Sequence, residues 1–137
     1  FDTAASTWGS AVETCEDDGA HIAAIETQAQ NDWVAQNAPI HTAIYIGATD
    51  QWSQGTWKDI FGEILGFTNW HHTEPNKPSN DCVVIAAGSC SHCGFWFDAA
   101  CNVAAPFVCA ENTRKRGRTS VHFYTIFLLF LHQKIFF

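Results

Sequence analysis

Positive charge is scarce over most of this sequence. The 137 residues include 7 Lys and Arg against 14 Asp and Glu, and residues 1–111 hold every acidic residue but only Lys58 and Lys77 as cations. A surface this acidic repels the phosphate backbone, so a nucleic-acid partner is excluded. Clustered carboxylates are instead the usual protein ligands of calcium.

Long apolar runs are also missing. The run at residues 121–131 contains His122 and is shorter than the roughly 20 residues that a membrane-spanning helix requires. The basic cluster at residues 114–118 precedes this run, whereas the anchor of an external domain carries its cations after the span. We therefore expect residues 112–137 to be an extension outside the domain and do not expect membrane association, with a membrane- or partner-binding peptide as the alternative.

Methionine is absent, and the chain begins at Phe1 without a secretory leader. These features are typical of a mature or truncated product. The length suits one domain, which we expect to span residues 1–111.

Cysteine, by contrast, is plentiful for a small domain. The six cysteines stand at positions 15, 82, 90, 93, 101 and 109. An even number indicates disulfides, an oxidising compartment and a secreted, extracellular protein, although spacing alone does not select the pairing. The alternative is a zinc site formed by Cys90, His92, Cys93 and Cys101, which is disfavoured because only one closely spaced cysteine pair is present.

Two helices and several short strands are predicted. Apolar residues recur with helical spacing over residues 8–18, directly after the potential cap Thr7. Thr27 and Gln30 form a capping box for a second helix, which ends before Pro39. Short apolar runs predict strands at residues 43–48, 82–86, 95–98 and 106–110. The turn-rich segment 49–81 contains many aromatic residues, which favours a packed, functional loop.

Seven motifs occur in a characteristic order. They are TWGSAVETC (7–15), YIGA (45–48), FTNW (67–70), EPN (74–76), DCVVI (81–85), WFD (96–98, followed by Cys101) and PFVC (106–109). Together they resemble the C-type lectin-like domain over residues 7–111. The resemblance implies an α+β fold, in which two helices flank small antiparallel sheets and a long loop region binds calcium and sugar.

The resemblance also implies a disulfide pairing. The first helix is joined to the last strand through Cys15 and Cys109, and the binding region is bracketed by Cys82 and Cys101. Cys90 and Cys93 are left over, either bonded to each other or free. The family's first strand is missing here or reduced to residues 1–2, so the last strand would expose an unpaired edge that the apolar tail could cover.

In lectins of this family a calcium ion sits in the long loop, and sugar hydroxyls coordinate it directly. The resemblance places both calcium and sugar ligands at Glu74, Asn76, Asn80 and Asp98. The Glu-Pro-Asn sequence resembles the type that favours mannose, glucose and N-acetylglucosamine, and Pro75 is expected to be cis. The function implied is calcium-dependent carbohydrate binding, and a homo-oligomer is a possible state.

Two departures from the family pattern weaken this expected site. Asn80 replaces a glutamate, and Phe97 replaces an asparagine that would supply a ligand oxygen. Fewer charged ligands imply weaker calcium binding. An auxiliary calcium site is poorer still, because Asp50 and Asp81 match the family but Gln54 and Lys77 replace carboxylates.

Other interpretations remain open. The four expected ligands could be solvated loop residues on a calcium-independent protein-recognition module, because fold alone does not determine function. Glu74 and Asp98 could form a glycosidase pair, but we do not expect an enzyme because no residue has an evident activating partner. We predict that three tryptophans near the site belong to the core and are not sugar platforms: Trp57, Trp70 and Trp96. We predict that the neighbouring His71 and His72 are solvated and do not contact a ligand.

Overall fold

The computed structural model describes residues 5–38 and 42–111, together with the backbone of Phe123–Tyr124. Two helices and seven strands occur in these ranges: α1 (Trp8–Asp17), β1 (Ala20–Ile22), α2 (Gln28–Asn37), β2 (Thr42–Thr49), β3 (Lys58–Asp59), β4 (Cys82–Ala87), β5 (Trp96–Ala99), β6 (Cys109–Glu111) and β7 (Phe123–Tyr124). The strands form a three-stranded sheet, β1-β6-β7, and a four-stranded sheet, β3-β2-β4-β5. Every pairing between these strands is antiparallel. The predicted α+β fold is confirmed.

Both helices begin as their sequences predict. The Thr7 side chain accepts a hydrogen bond from the backbone of Ser10 at 3.3 Å, which satisfies a free N–H at the start of α1. Thr27 and Gln30 make the reciprocal bonds of a capping box at the start of α2. The helical spacing of Trp8, Ala11 and Cys15 buries all three against the sheets.

The last strand differs from its prediction. We expected it to span residues 106–110, but β6 begins only at Cys109, and the preceding residues run beside β2 instead. There the backbone N–H of Tyr45 donates to Pro106 at 2.8 Å, and that of Val108 donates to Tyr45 at 3.3 Å. The short strands β1 and β3 had no recognisable sequence signal, because each is only two or three residues long.

Two residues of the tail cover the edge of the last strand, as the sequence analysis allowed. β6 pairs with β1 on one side and with β7 on the other, through the register Cys109↔Tyr124. Two residues of the predicted extension therefore join this sheet. The rest of residues 112–137, and the proposed reduced strand at residues 1–2, lie outside the described residues, so the domain boundary at residue 111 stays a prediction.

Ser6 exchanges two backbone hydrogen bonds with Ala105, at 3.2 and 3.1 Å.

Three disulfides fasten this framework. They are Cys15–Cys109, Cys82–Cys101 and Cys90–Cys93, which is the implied pairing with the two remaining cysteines bonded to each other. The zinc alternative is wrong, because all three cysteine sulfurs that it would draw on belong to disulfides. Cys15, Cys82 and Cys109 are fully buried in one core cluster with Trp8. Neither described helix is long and apolar enough to cross a membrane.

Gly47 allows β2 to lie directly against the chain that follows β1. Its backbone N–H donates to Ala23 at 2.7 Å, and a Cβ built at Gly47 would lie 2.7 Å from the carbonyl oxygen of Ile22. A side chain at this position would force two buried backbones apart.

We expect Gly47→Ala to lower the free energy of unfolding by about 1–3 kcal/mol, the usual cost of overpacking a core. Gly9→Ala is the matched control, because Gly9 lies in the exposed part of α1, where an added Cβ would meet no atom within 4 Å. Alanine at position 9 should raise the free energy of unfolding by about 0.5–1 kcal/mol. Urea denaturation measures both, and equal stabilities for the two variants would contradict the packing argument.

Candidate functional site

Three segments of the chain bring the predicted ligands together. Glu74 and Asn76 lie in the loop between β3 and β4, on either side of a cis Glu74–Pro75 peptide bond, as expected. Asn80 lies at the end of that loop, two residues before β4. Asp98 lies on β5, which pairs directly with β4. The sheet therefore places Asp98 beside both the middle and the end of the loop.

The buried carboxylate of Asp98 is the centre of the site. One oxygen, Oδ2, accepts hydrogen bonds from the backbone N–H groups of Asn76 at 2.6 Å and Lys77 at 2.7 Å. The other, Oδ1, accepts from the side-chain amide of Asn80 at 2.8 Å. Bonds to an ionised acceptor are among the strongest in proteins. A single side chain therefore anchors both the middle and the end of the loop.

Glu74 closes the same network from the other side. Its Oε1 accepts from the side-chain amide of Asn76 at 2.6 Å, and its Oε2 lies 3.4 Å from the backbone N of Asp98, which donates to it. All four predicted ligands thus belong to one hydrogen-bonded group. Both carboxylates act as acceptors of N–H groups, which suits binding and not the proton donation that a glycosidase pair requires.

Asn31 is a residue of the site's support that sequence reasoning missed. It is fully buried on α2, where its Oδ1 accepts from the indole of Trp96 at 2.7 Å and its Nδ2 donates to Gly94 at 3.0 Å. Asn69 donates to the same Gly94 carbonyl at 2.7 Å. The available signal was a polar residue on the helix face that also carries Val34 and Ala35.

The tryptophans near the site pack as predicted. Trp96 is fully buried, and Trp57 and Trp70 pack against the same cluster while remaining partly exposed. The Trp57 and Trp70 rings meet edge to face with centroids 4.9 Å apart. The backbone of His71 also donates to Trp96 at 3.0 Å. The loop leading to Glu74 is therefore held by the core before it reaches the surface.

An imidazole and aromatic surface borders the four ligands. His71 stacks on Phe97 with centroids 5.1 Å apart and a 22° angle between the rings. His72 and His92 lie against His71 with centroids at 4.1 and 5.0 Å, and Phe95 lies at 5.8 Å. We interpreted His71 as a solvated loop residue, but it is half-buried among rings. Desolvation, and then the neighbouring His72 and His92, lower the pKa of His71, while Glu74 opposes this shift.

Asp50 and Asp81 retain two unused acceptors. Asp50 accepts through Oδ2 from Gln54 at 3.0 Å and from the backbone of Gly55 at 2.8 Å. Among the described residues, however, neither Asp50 Oδ1 nor Asp81 Oδ1 has a hydrogen-bond partner, although both are buried. The backbones of the two residues are joined at 3.1 Å. Gln54 thus occupies one carboxylate oxygen of Asp50. The other oxygen of Asp50 and one oxygen of Asp81 stay available to a cation or to water.

The side chains of Glu74, Asn76, Asn80 and Asp98 offer oxygen atoms that suit a hard cation. Calcium takes oxygen ligands from carboxylates and amide carbonyls, and two of each are gathered here. Within residues 5–38 and 42–111 no three His, Cys, Asp or Glu side chains gather as a metal cluster. The amides of Asn76 and Asn80 must therefore supply the additional side-chain oxygens if an ion is held.

A family profile decides the assignment of the fold. The profile described as "Lectin C-type domain" matches residues 4–111, which include every element from α1 to β6. This chain belongs to the C-type lectin domain family. The family resemblance seen in the seven motifs is therefore confirmed, and membership of this non-enzymatic family agrees with the expectation that the domain is not an enzyme.

The curated relatives are longer than this chain. Mouse C-type lectin domain family 4 member E is 35% identical over 115 residues, which cover 80% of this chain and 52% of the relative. Human tetranectin is 25% identical over 114 residues, covering 78% of this chain and 55% of the relative. The chain thus spans about half the length of the curated relatives it matches.

Solved structures show the same fold. The carbohydrate-recognition domain of the mouse scavenger receptor C-type lectin superposes with a TM-score of 0.69 at 24% identity, covering 76% of this chain and 81% of that one. The C-type lectin domain of murine dendritic cell inhibitory receptor 2, solved in complex with N-glycan, gives 0.65 at 28% identity, with 73% and 77% covered. A calcium-independent type II antifreeze protein gives 0.67 at 23%, with 77% and 78% covered. The fold therefore occurs both in a glycan complex and in a calcium-independent protein.

We expect the pKa of His71 to lie below the ordinary histidine value and to rise in His92→Gln, which removes one of the neighbouring histidines that lower it. Because folding favours the neutral ring, the stability that His71 contributes is present above the ordinary pKa and declines as the pH falls through it. NMR titration of the His71 ring measures the pKa directly. His21→Gln is the control, since His21 contacts Phe61 instead, and an equal shift in that variant would contradict the assignment.

Proposed function

We propose that this domain binds carbohydrate through a calcium ion held by Glu74, Asn76, Asn80 and Asp98. The observation that carries the proposal is the convergence of these side chains around the cis peptide bond at Pro75. Residues up to 24 apart in sequence join one network of oxygen-bearing groups.

The charges in this network suit a metal of modest affinity. Two carboxylates supply two formal negative charges, and calcium affinity falls as charged ligands are lost. Asn80 now directs its amide nitrogen at Asp98, so its side chain must rotate to present an oxygen to an ion. When bound, calcium would offer open coordination positions to two neighbouring sugar hydroxyls, while Glu74 and Asn76 hydrogen-bond to the same hydroxyls.

Mannose-type sugars, including glucose and N-acetylglucosamine, are the proposed ligands. The support is the Glu-Pro-Asn sequence at residues 74–76 and membership in a family in which a relative has been solved with N-glycan. The three disulfides favour a secreted or extracellular location, since such bonds persist in oxidising compartments. Single lectin sites bind weakly, so a homo-oligomer would raise avidity.

A calcium-independent protein-recognition module is the second candidate. Two observations favour it. Both carboxylate oxygens of Asp98 already have N–H partners without a metal, and Phe97 replaces a ligand side chain with a ring stacked on His71. On this alternative, the Phe97–His71 surface would contact a protein partner, and binding would not respond to calcium.

Removing one carboxylate separates these functions. We expect Glu74→Ala to abolish retention on a mannose resin in calcium, because it removes a charged ligand and an acceptor for Asn76. Glu63→Ala is the matched control, since Glu63 is exposed elsewhere in the same loop region. The wild type should elute with chelator. Retention that survives both chelator and Glu74→Ala, or no retention at all, would favour the calcium-independent module.

Restoring a third carboxylate should strengthen calcium binding. Without calcium, Asn80→Glu places a second negative charge against Asp98 and should lower the melting temperature. With calcium, the same variant should bind the ion more tightly than wild type, by about tenfold or more, since affinity follows the charge count. Calorimetric titration and thermal melts measure the two effects.

Gln36→Glu adds the same charge at an exposed position on α2 and should change neither quantity. Unaltered calcium affinity in a folded Asn80→Glu variant would contradict the assignment of residue 80 as a ligand.

A further inference from the structure

The loop between β4 and β5 contains a disulfide unlike the other two. Cys90 is exposed and Cys93 is half-buried, whereas Cys15, Cys82 and Cys109 are all 0% exposed. Thiol–disulfide exchange requires an attacking thiolate to reach a sulfur atom. Of the three bonds, only Cys90–Cys93 includes an exposed cysteine and lacks a fully buried one.

The same bond should be the least costly to open. Its cysteines are 3 residues apart, against 19 and 94 for the other two pairs. In the chain-entropy account a disulfide stabilises less as the loop that it closes becomes shorter. The base of this loop is also closed independently, by hydrogen bonds from Ala86 to Phe95 at 3.0 Å and from Gly94 to Ala86 at 2.7 Å. The strands on either side can thus remain paired when the bond is reduced.

The local sequence suits exchange chemistry. Residues 90–93 read Cys-Ser-His-Cys, the Cys-X-X-Cys spacing found in disulfide oxidoreductases. His92 lies between the two cysteines and is itself exposed. Exposure, a short span and this sequence are three separate features of the same bond.

We propose that Cys90–Cys93 is a thiol–disulfide exchange site that accepts electrons from small thiols. A thiolate attacks the sulfur of the exposed residue Cys90 and forms a mixed disulfide, while Cys93 leaves as a thiolate and takes up a proton. A second thiolate attacks the sulfur of the small molecule and releases Cys90. The protein disulfide gains two electrons, and two small thiols are oxidised to one disulfide.

This exchange site lies against the segment that precedes Glu74. The His92 and Phe95 rings contact His71, whose backbone carbonyl accepts a hydrogen bond from the Glu74 N–H at 2.8 Å. Opening the bond removes the restraint on His92 and alters the surroundings of the His71 ring. The effect on His71 does not require calcium or sugar, so it can be tested apart from the proposed function.

Graded reduction of the intact chain with reduced glutathione, followed by alkylation and peptide mass spectrometry, tests the proposal. Cys90 and Cys93 should be alkylated about tenfold or more faster than the other four cysteines, as expected for the exposed, labile disulfide of a set. The circular dichroism spectrum should remain that of the folded protein. Simultaneous opening of all three bonds, or opening of Cys90–Cys93 last, would overturn it.

A Cys90→Ser, Cys93→Ser double variant is the control. It should fold with a melting temperature close to that of wild type, and it should consume no glutathione at doses that open only the labile bond. The NMR signal of His71 should shift on reduction in wild type and already be shifted in the double variant. An unfolded double variant would show that the bond is structurally required, and an unchanged His71 signal would refute the coupling.

Discussion

The carboxylate of Asp98 determines the shape of the binding loop. It is buried, and three N–H groups from two separate parts of the loop donate to it. Each such bond to a charged group contributes about 1.5–3 kcal/mol, and leaving the donors without an acceptor would cost more. Any cation that uses Asp98 must therefore share its oxygens with the loop. The arrangement that prepares the site also competes with the ion.

The support for Asp98 reaches the site through β5. Trp96, two residues earlier on the same strand, is anchored to α2 by Asn31, and it bonds the loop through Asn69 and His71. Phe97 lies between them and faces the other way, where it stacks on His71. Phe97 lacks the ligand oxygen expected at this position and contributes a ring contact instead. The strand retains its packing role even where the ligand pattern has changed.

Sequence reasoning succeeded where the physical signal was local. The caps at Thr7 and Thr27 followed from short motifs. The cis bond at Pro75 and the four candidate ligands came instead from the family resemblance. The structure brings those four side chains together, and their role as ligands stays a prediction. It failed for β1, whose three residues are specified only by pairing with β6, and for the start of β6, where the chain first runs beside β2. The role of Asn31 was missed because its partners are 63 and 65 residues away. Contacts that distant have no periodicity along the chain.

Net charge and local ligands contribute differently to ion binding. The acidic body attracts cations at long range, but at physiological salt the Debye length is only about 8 Å, so distant carboxylates are largely screened. Affinity is then decided by the groups that touch the ion. Replacing a carboxylate with Asn80 removes a charge within that distance, and no excess of acidic residues on the helices, such as those ending α1, restores it. Whether the ion is held therefore depends on whether its attraction to the two carboxylates, Glu74 and Asp98, outweighs the loss of the hydrogen bonds that Asp98 makes without it.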